Sequence, residues 1–386
     1  MSIVGIARAV VAWAALWAGG CGVSHPPEFR LNREGRDPEE ITRVQRDALT
    51  ETLAELFGTP DRPAIPEGVG LDLDLIETAA GPEGRPRDAR GGSGPERGLY
   101  RKYCAACHGI SGDGAGPLAM ILDPYPLDFR RGVFKYTSTL AGAKPTGDDL
   151  ERTLASGMCG TGMPSFARLV PRARAALREY VKYLSIRGET ERYLIQLVVD
   201  EDEYLPLGVD AREMVLEDGA VAAAESWALP EESPEEYVVV PPPMPSAGTP
   251  EQLAASIALG RAFYGDKDSQ CVTCHGPEGA GDGEQTDLYD DWNKPKQGVT
   301  PEETRRLARL YTLPIQRLRA RNFHQGAFHG GDRPEDLYWR IHVGIKGTPM
   351  PTTGPMPGAA GALAPEEIWH VVDYVRSLAG MGRDEG

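Results

Sequence analysis

The chain has 386 residues, with 41 Lys and Arg against 57 Asp and Glu, a formal net charge of −16. That balance argues against a nucleic-acid partner, because phosphate recognition needs clustered positive charge. Hydrophobic residues make up 41% of the chain, enough for two small cores, and no Walker loop, dinucleotide fingerprint or nucleophile elbow occurs.

Residues 1–20 read as an export signal: Arg8, then an apolar run from Ala9 to Ala18, then Gly19-Gly20 before Cys21. Ten apolar residues are too few to span a bilayer comfortably. Small residues followed at once by Cys resemble a bacterial lipoprotein processing site, with Cys21 as the lipidated N-terminus. Ala18 stands where such sites usually have Leu, so an uncleaved anchor helix and a simple secreted form stay open. Each of these places the chain beyond the cytoplasm, and the lipid-anchored form places it at the periplasmic side of a bacterial membrane.

Residues 21–93 read as a spacer holding one amphipathic helix over about 38–57. Asp37-Pro38-Glu39-Glu40 offers an N-cap and an acidic first turn, and Ile41, Val44, Leu49, Leu53, Leu56 and Phe57 make an apolar stripe. Such a stripe most often docks on its own domain. Ala79 to Gly94, rich in Gly, Pro and Arg, reads as flexible linker.

Residues 94–187 form the first unit, opening with a helix over Glu96 to Tyr103. Cys104-Ala105-Ala106-Cys107-His108 follows, the attachment signature of a c-type haem. Two thiols so spaced suit thioethers to one porphyrin, with the adjacent His as proximal ligand. Zinc sites and redox dithiols also use Cys-x-x-Cys, but the motif returns as Cys271-Val272-Thr273-Cys274-His275. The expected cofactors are therefore two haem c groups.

Residues 188–248 read as an acidic, partly irregular linker. From Arg187 to Pro250 fifteen Asp and Glu stand against three Arg, the pattern of a solvated connector. Within it, Tyr193 to Val199 and Tyr237 to Val240 could form short strands or docking segments. The second unit, 249–386, starts with a helix from Pro250 to Tyr264, capped by Thr249 and Gln252.

The two units repeat one another beyond the motifs. Phe129-Arg130-Arg131-Gly132-Val133-Phe134 pairs with Phe323-His324-Gln325-Gly326-Ala327-Phe328, and Asp149-Leu150 with Asp336-Leu337. The loops at Gly157 to Pro164 and Gly344 to Pro351 match at fixed offset, placing Met163 opposite Met350 as sixth-ligand candidates. A lone Met is usually core filler; a Met kept in the same Gly/Pro loop twice points to ligation. Met158 and Met356 lack that repeat and read as packing or loop residues. His324, His329 and His342 face Arg130, Lys135 and Ala155 in the first copy, so the repeat gives them no shared ligand role; His25 and His370 read as tail and helix residues. Cys159 reads as a small buried side chain in the Met loop.

From His108 to Phe129 is 21 residues, but from His275 to Phe323 is 48. The extra segment carries a capped helix over about 300–311, either a docking element or, more plainly, a tolerated surface insertion. Each copy ends in a helix with Tyr-Val-x-x-Leu, Tyr180 to Leu184 and Tyr374 to Leu378; the first has Ala175 where the second has Trp369.

With a short helix, Cys-x-x-Cys-His, a distal Met loop and a terminal helix in each copy, the chain resembles the class I cytochrome c family. The resemblance implies an all-α fold of two tandem domains. It also implies covalent haem at Cys104, Cys107, Cys271 and Cys274, and iron held by His108 with Met163 and by His275 with Met350. The expected work is single-electron relay between redox proteins, such as a quinol-oxidising complex or dehydrogenase and a terminal oxidase, rather than catalysis. Two rivals are a dihaem peroxidase, which needs one haem able to open a coordination site, and a fixed dihaem subunit of a larger respiratory assembly.

Overall fold

The computed structural model describes residues 26–32, 40–84, 97–200, 207–245, 248–295, 298–311 and 313–381. Cys21, His25, Asp37, Pro38 and Glu96 lie outside them. Among the described residues the fold is all-α, apart from a two-stranded ribbon of Gly58–Thr59 and Arg62–Pro63. None of the described helices is long and apolar enough to cross a membrane.

Helix α1, Arg43–Phe57, starts later than the Asp37 cap would set it. Thr42 caps it instead, in a capping box with Gln45 that satisfies donors at both ends of the turn. Leu49, Leu53 and Phe57 are buried, whereas Val44 points to solvent. With α2, Leu73–Ala79, it packs on the long helix α6, Pro171–Ile195, so the spacer belongs to the first core. Tyr183 on α6 donates to the Phe57 carbonyl and fixes that docking.

The first unit continues with α3, Leu99–Tyr103, α4, Ala105–His108, and α5, Gly147–Ser156. Gly188 on α6 lies against the Arg130 backbone, where a Cβ would overlap it. The long helix can therefore press onto the turn at Phe129–Arg131.

The acidic segment is more ordered than a solvated connector. Helix α6 runs on past residue 187 and ends in a wide turn, Gln196–Asp200, so Tyr193 to Val199 is no strand but a helical segment docked on the first core. Helices α7, Val209–Met214, α8, Ala222–Glu232, and α9, Pro234–Tyr237, follow. Leu194, Val198, Val215 and Trp227 are buried in the first core. Net charge misled because the carboxylates mostly line exposed faces, while the apolar residues keep helical spacing. Glu191, fully buried, is the exception: it pairs with Arg187 at 3.1 Å and accepts from the Asn32 amide at 2.8 Å.

The second unit comprises α10, Pro250–Gly265, α11, Cys271–His275, α12, Pro301–Tyr311, α13, Pro334–His342, and α14, Pro365–Leu378. Helices α10 and α14 cross closely at Gly260, which faces the His370 backbone. Among the contacts that join the tandem units are a strap and the foot of the insertion. Residues 237–242 act as a strap: Val239 donates to Ser138 and Leu140 to Tyr237, while the Trp339 and Trp369 indoles donate to the Val239 and Pro242 carbonyls. The foot of the insertion docks on the first unit, where Gln316 accepts from the Tyr125 amide and donates to the Leu122 carbonyl, both at 3.1 Å. Asp290 completes it with a buried ion pair to Lys135 at 2.7 Å. The insertion is a docking element at its base, which its composition did not distinguish from a surface loop.

Candidate haem-binding sites

Each Cys-x-x-Cys-His stretch is a single turn of helix ending at Gly109 or Gly276, both with positive φ. A Cβ at either would overlap a carboxylate oxygen, of Asp113 or Asp282, so only glycine lets the chain turn there. Tyr100 and Tyr264 each donate a hydroxyl bond to that glycine's carbonyl, at 2.8 and 2.6 Å. The sequence shows both tyrosines, but their shared task emerges only when helix and turn meet.

The histidines are fixed alike. His108 bonds through Nδ1 to the Leu127 carbonyl at 3.0 Å, and His275 through Nδ1 to the Arg321 carbonyl at 3.2 Å. Their rings stack on Phe129 and Phe323 with centroids 4.4 and 4.6 Å apart. Those phenylalanines are pinned in turn, their amides donating to Gly112 and Gly279 at 2.8 Å. Burial pushes both imidazoles below their ordinary pKa, so they are neutral, and Nδ1 as the donor leaves the Nε2 lone pair for a metal. Leu127 and Arg321 were missed as site residues because a backbone carbonyl leaves no side-chain signal.

None of the four motif cysteines is in a disulfide, and burial pushes their thiols up, Cys104 to about 12. Among the described residues no three His, Cys, Asp or Glu side chains are grouped to hold a metal ion. The donor set, a paired thiol and a neutral imidazole with Nε2 free, fits covalent haem.

The Met loops repeat bond for bond. Met158 donates to the Met163 carbonyl at 3.0 Å and Ile345 to that of Met350 at 3.2 Å. Thr161 and Thr348 each bridge their loop, donating to Met158 or Ile345 and accepting from the Met163 or Met350 amide. Gly157 and Gly344 have positive φ and no room for a Cβ against Pro164 and Pro351. Both methionines are half-buried, and Met163 packs against the first core.

The remaining candidates are engaged elsewhere. His324 bonds to the Glu278 carbonyl, His342 to that of Pro355, and His370 to Ser256. Met158 is half-buried, and Met356 pairs with Ala359 in a loop bridge. Cys159 is exposed rather than buried.

Residues 257–379 match the family described as cytochrome c, and residues 96–181 match cytochrome c oxidase, cbb3-type, subunit III. No curated protein matches the chain. Among solved structures, a chain of the Kuenenia stuttgartiensis reducing HAO-like protein complex shares 25% identity. That match covers 72% of this chain and 93% of that one, at a TM-score of 0.48.

Proposed function

We propose that this chain, which belongs to the cytochrome c family in both of its domains, is a dihaem electron relay with His/Met ligation at each iron. Cys104, Cys107, Cys271 and Cys274 carry the thioethers, His108 and His275 the proximal bonds, Met163 and Met350 the distal ones. The observation that carries the reading is the duplicated frame: two imidazoles tethered through Nδ1, and two Met loops closed by the same Thr bridge. Bound haem supplies reversible one-electron chemistry, and a thioether axial ligand raises its potential.

The chain's own residues hold that chemistry still. The Leu127 and Arg321 carbonyls fix the tautomer and the ring plane, Phe129 and Phe323 support the ring face, and the Met loops present sulfur from backbone that cannot easily sag. His108 with Met163 and His275 with Met350 would leave neither haem an open site, which disfavours the peroxidase rival. The relay sits at the periplasmic side of a bacterial membrane, anchored by a lipid on Cys21. It passes electrons between redox proteins such as a quinol-oxidising complex or dehydrogenase and a terminal oxidase.

The match of residues 96–181 to an oxidase subunit favours a second reading, a fixed subunit of a respiratory complex with the same haem chemistry. Mass spectrometry of the mature protein should show two haems and an acylated N-terminus. Met163→Ala and Met350→Ala should each remove a share of the red Met–Fe(III) absorption band and admit external ligands at that haem. A colourless mature protein, or fast peroxide turnover by the unmodified one, would overturn the relay.

A further inference from the structure

Both Met loops reach the opposite domain. Lys346, four residues before Met350, donates through Nζ to Thr139 Oγ1 and to the Ala143 carbonyl of the first domain, both at 2.8 Å. Gly347 beside it faces Val133, whose Cγ1 lies 3.3 Å from where a Cβ would sit. In the first domain's loop, Gly160 holds the place of Gly347 and lies against Ala327 and His329 of the second domain. Ala327 is the counterpart of Val133, so the contact is reciprocal.

Arg152 and Trp339 are counterparts too, and they meet each other, guanidinium over ring at 4.6 Å. The interface thus has the self-complementary pattern of a local two-fold. His329 continues the link: Arg321 donates to its Nε2, and the same ring edge lies 3.4 Å from where a Cβ on Gly160 would sit. Burial and the neighbouring Arg321, Arg340 and Lys135 push His329 down to about 4, so it is a neutral acceptor for Arg321. The carbonyl of Arg321 is the one that tethers His275. A chain of contacts therefore runs from the proximal His of one haem to the loop, three residues from Met163, that closes over the other.

We propose that each distal Met loop is held closed by the opposite domain, with Lys346 and His329 as positioning residues, so that the axial ligation of each iron depends on domain docking. The inference rests on the His/Met reading above. A loop gripped only by its own domain would feel the other domain as bulk; a cross-gripped loop shares its opening equilibrium with the interface.

The test uses the full haem-loaded chain, oxidised, titrated with imidazole as a competitor for the Met position. Met163→Ala and Met350→Ala first assign each haem's share of the red band. Thr139→Val, a first-domain change, is expected to raise imidazole affinity at the second haem about tenfold, the size set by one lost hydrogen bond. Val133→Ala should act in the same direction should Thr139→Val fold poorly. His329→Leu, a second-domain change, is expected to loosen the first haem, while Lys346→Arg should keep the second closed where Lys346→Met does not. Effects of Thr139→Val or His329→Leu confined to that residue's own haem, or no change at either haem, overturn the coupling and leave the ligation intact. An oxidised spectrum indifferent to both Met→Ala changes removes the His/Met reading and the coupling with it.

Discussion

Gly260 sits where α10 crosses α14, and replacing it with Ala tests whether that crossing sets the second domain's stability. In an isolated helix, Ala is better than Gly by about 1 kcal/mol. Here the added Cβ would overlap the His370 carbonyl oxygen, 2.5 Å from its carbon and 2.9 Å from Tyr374 Cβ. Backbone cannot rotate away as a side-chain tip can, so the helices must part by roughly an ångström, an overpacking cost of about 1–3 kcal/mol or more. Parting also weakens the Tyr264–Tyr374 ring contact, with centroids 5.3 Å apart, which contributes about 0.5–1.5 kcal/mol. Set against the propensity gain, Gly260→Ala should cost about 2 kcal/mol net. Gly265, on the same helix, has nothing within 4 Å and an ordinary φ; Gly265→Ala should be neutral or stabilise by up to about 1 kcal/mol. Guanidinium unfolding of the haem-loaded protein, followed at the haem and by far-ultraviolet dichroism, should lower the midpoint for Gly260→Ala and leave that for Gly265→Ala unchanged or raised. An unchanged or raised midpoint for Gly260→Ala would refute the packing argument.

Three further outcomes follow from the geometry. Glu191→Leu leaves Arg187 buried without its carboxylate and removes one acceptor of the Asn32 backbone amide; the expected loss is about 3–5 kcal/mol, which calorimetry checks. His329 has a folded pKa of about 4, below its unfolded value near ~6.5, so its contribution to docking is complete above that unfolded value and is lost as pH falls through about 4. Acid titration of the domain contact should show that loss, and His329→Gln should flatten it. The exposed Cys159 should be alkylated in the native haem-loaded protein, and Cys159→Ser should abolish labelling among the described cysteines without lowering stability by more than about 0.5 kcal/mol.

Much of the site was legible because covalent attachment demands fixed residue types at fixed spacing. Cys-x-x-Cys-His shows without any fold, and a second copy converts a Met loop from filler to candidate by placing Met163 opposite Met350. The repeat also exposes the insertion before Phe323, since one copy serves as the ruler for the other. The capping boxes at Thr249 and Thr300 were likewise local enough to read directly.

What the sequence left undecided is whatever depends on which surfaces meet. Net charge over 188–248 described a connector, but burial is settled by the spacing of Leu197, Val215 and Trp227 against α6, which charge does not report. Cys159 lay beside a buried-looking Met yet is exposed, which residue type does not report. The Leu127 and Arg321 carbonyls could not be foreseen, since every residue has a carbonyl and only the fold selects one. The grip of each Met loop by the other domain is of the same kind: Lys346 and His329 are ordinary polar residues until tertiary packing brings Thr139 and Gly160 against them.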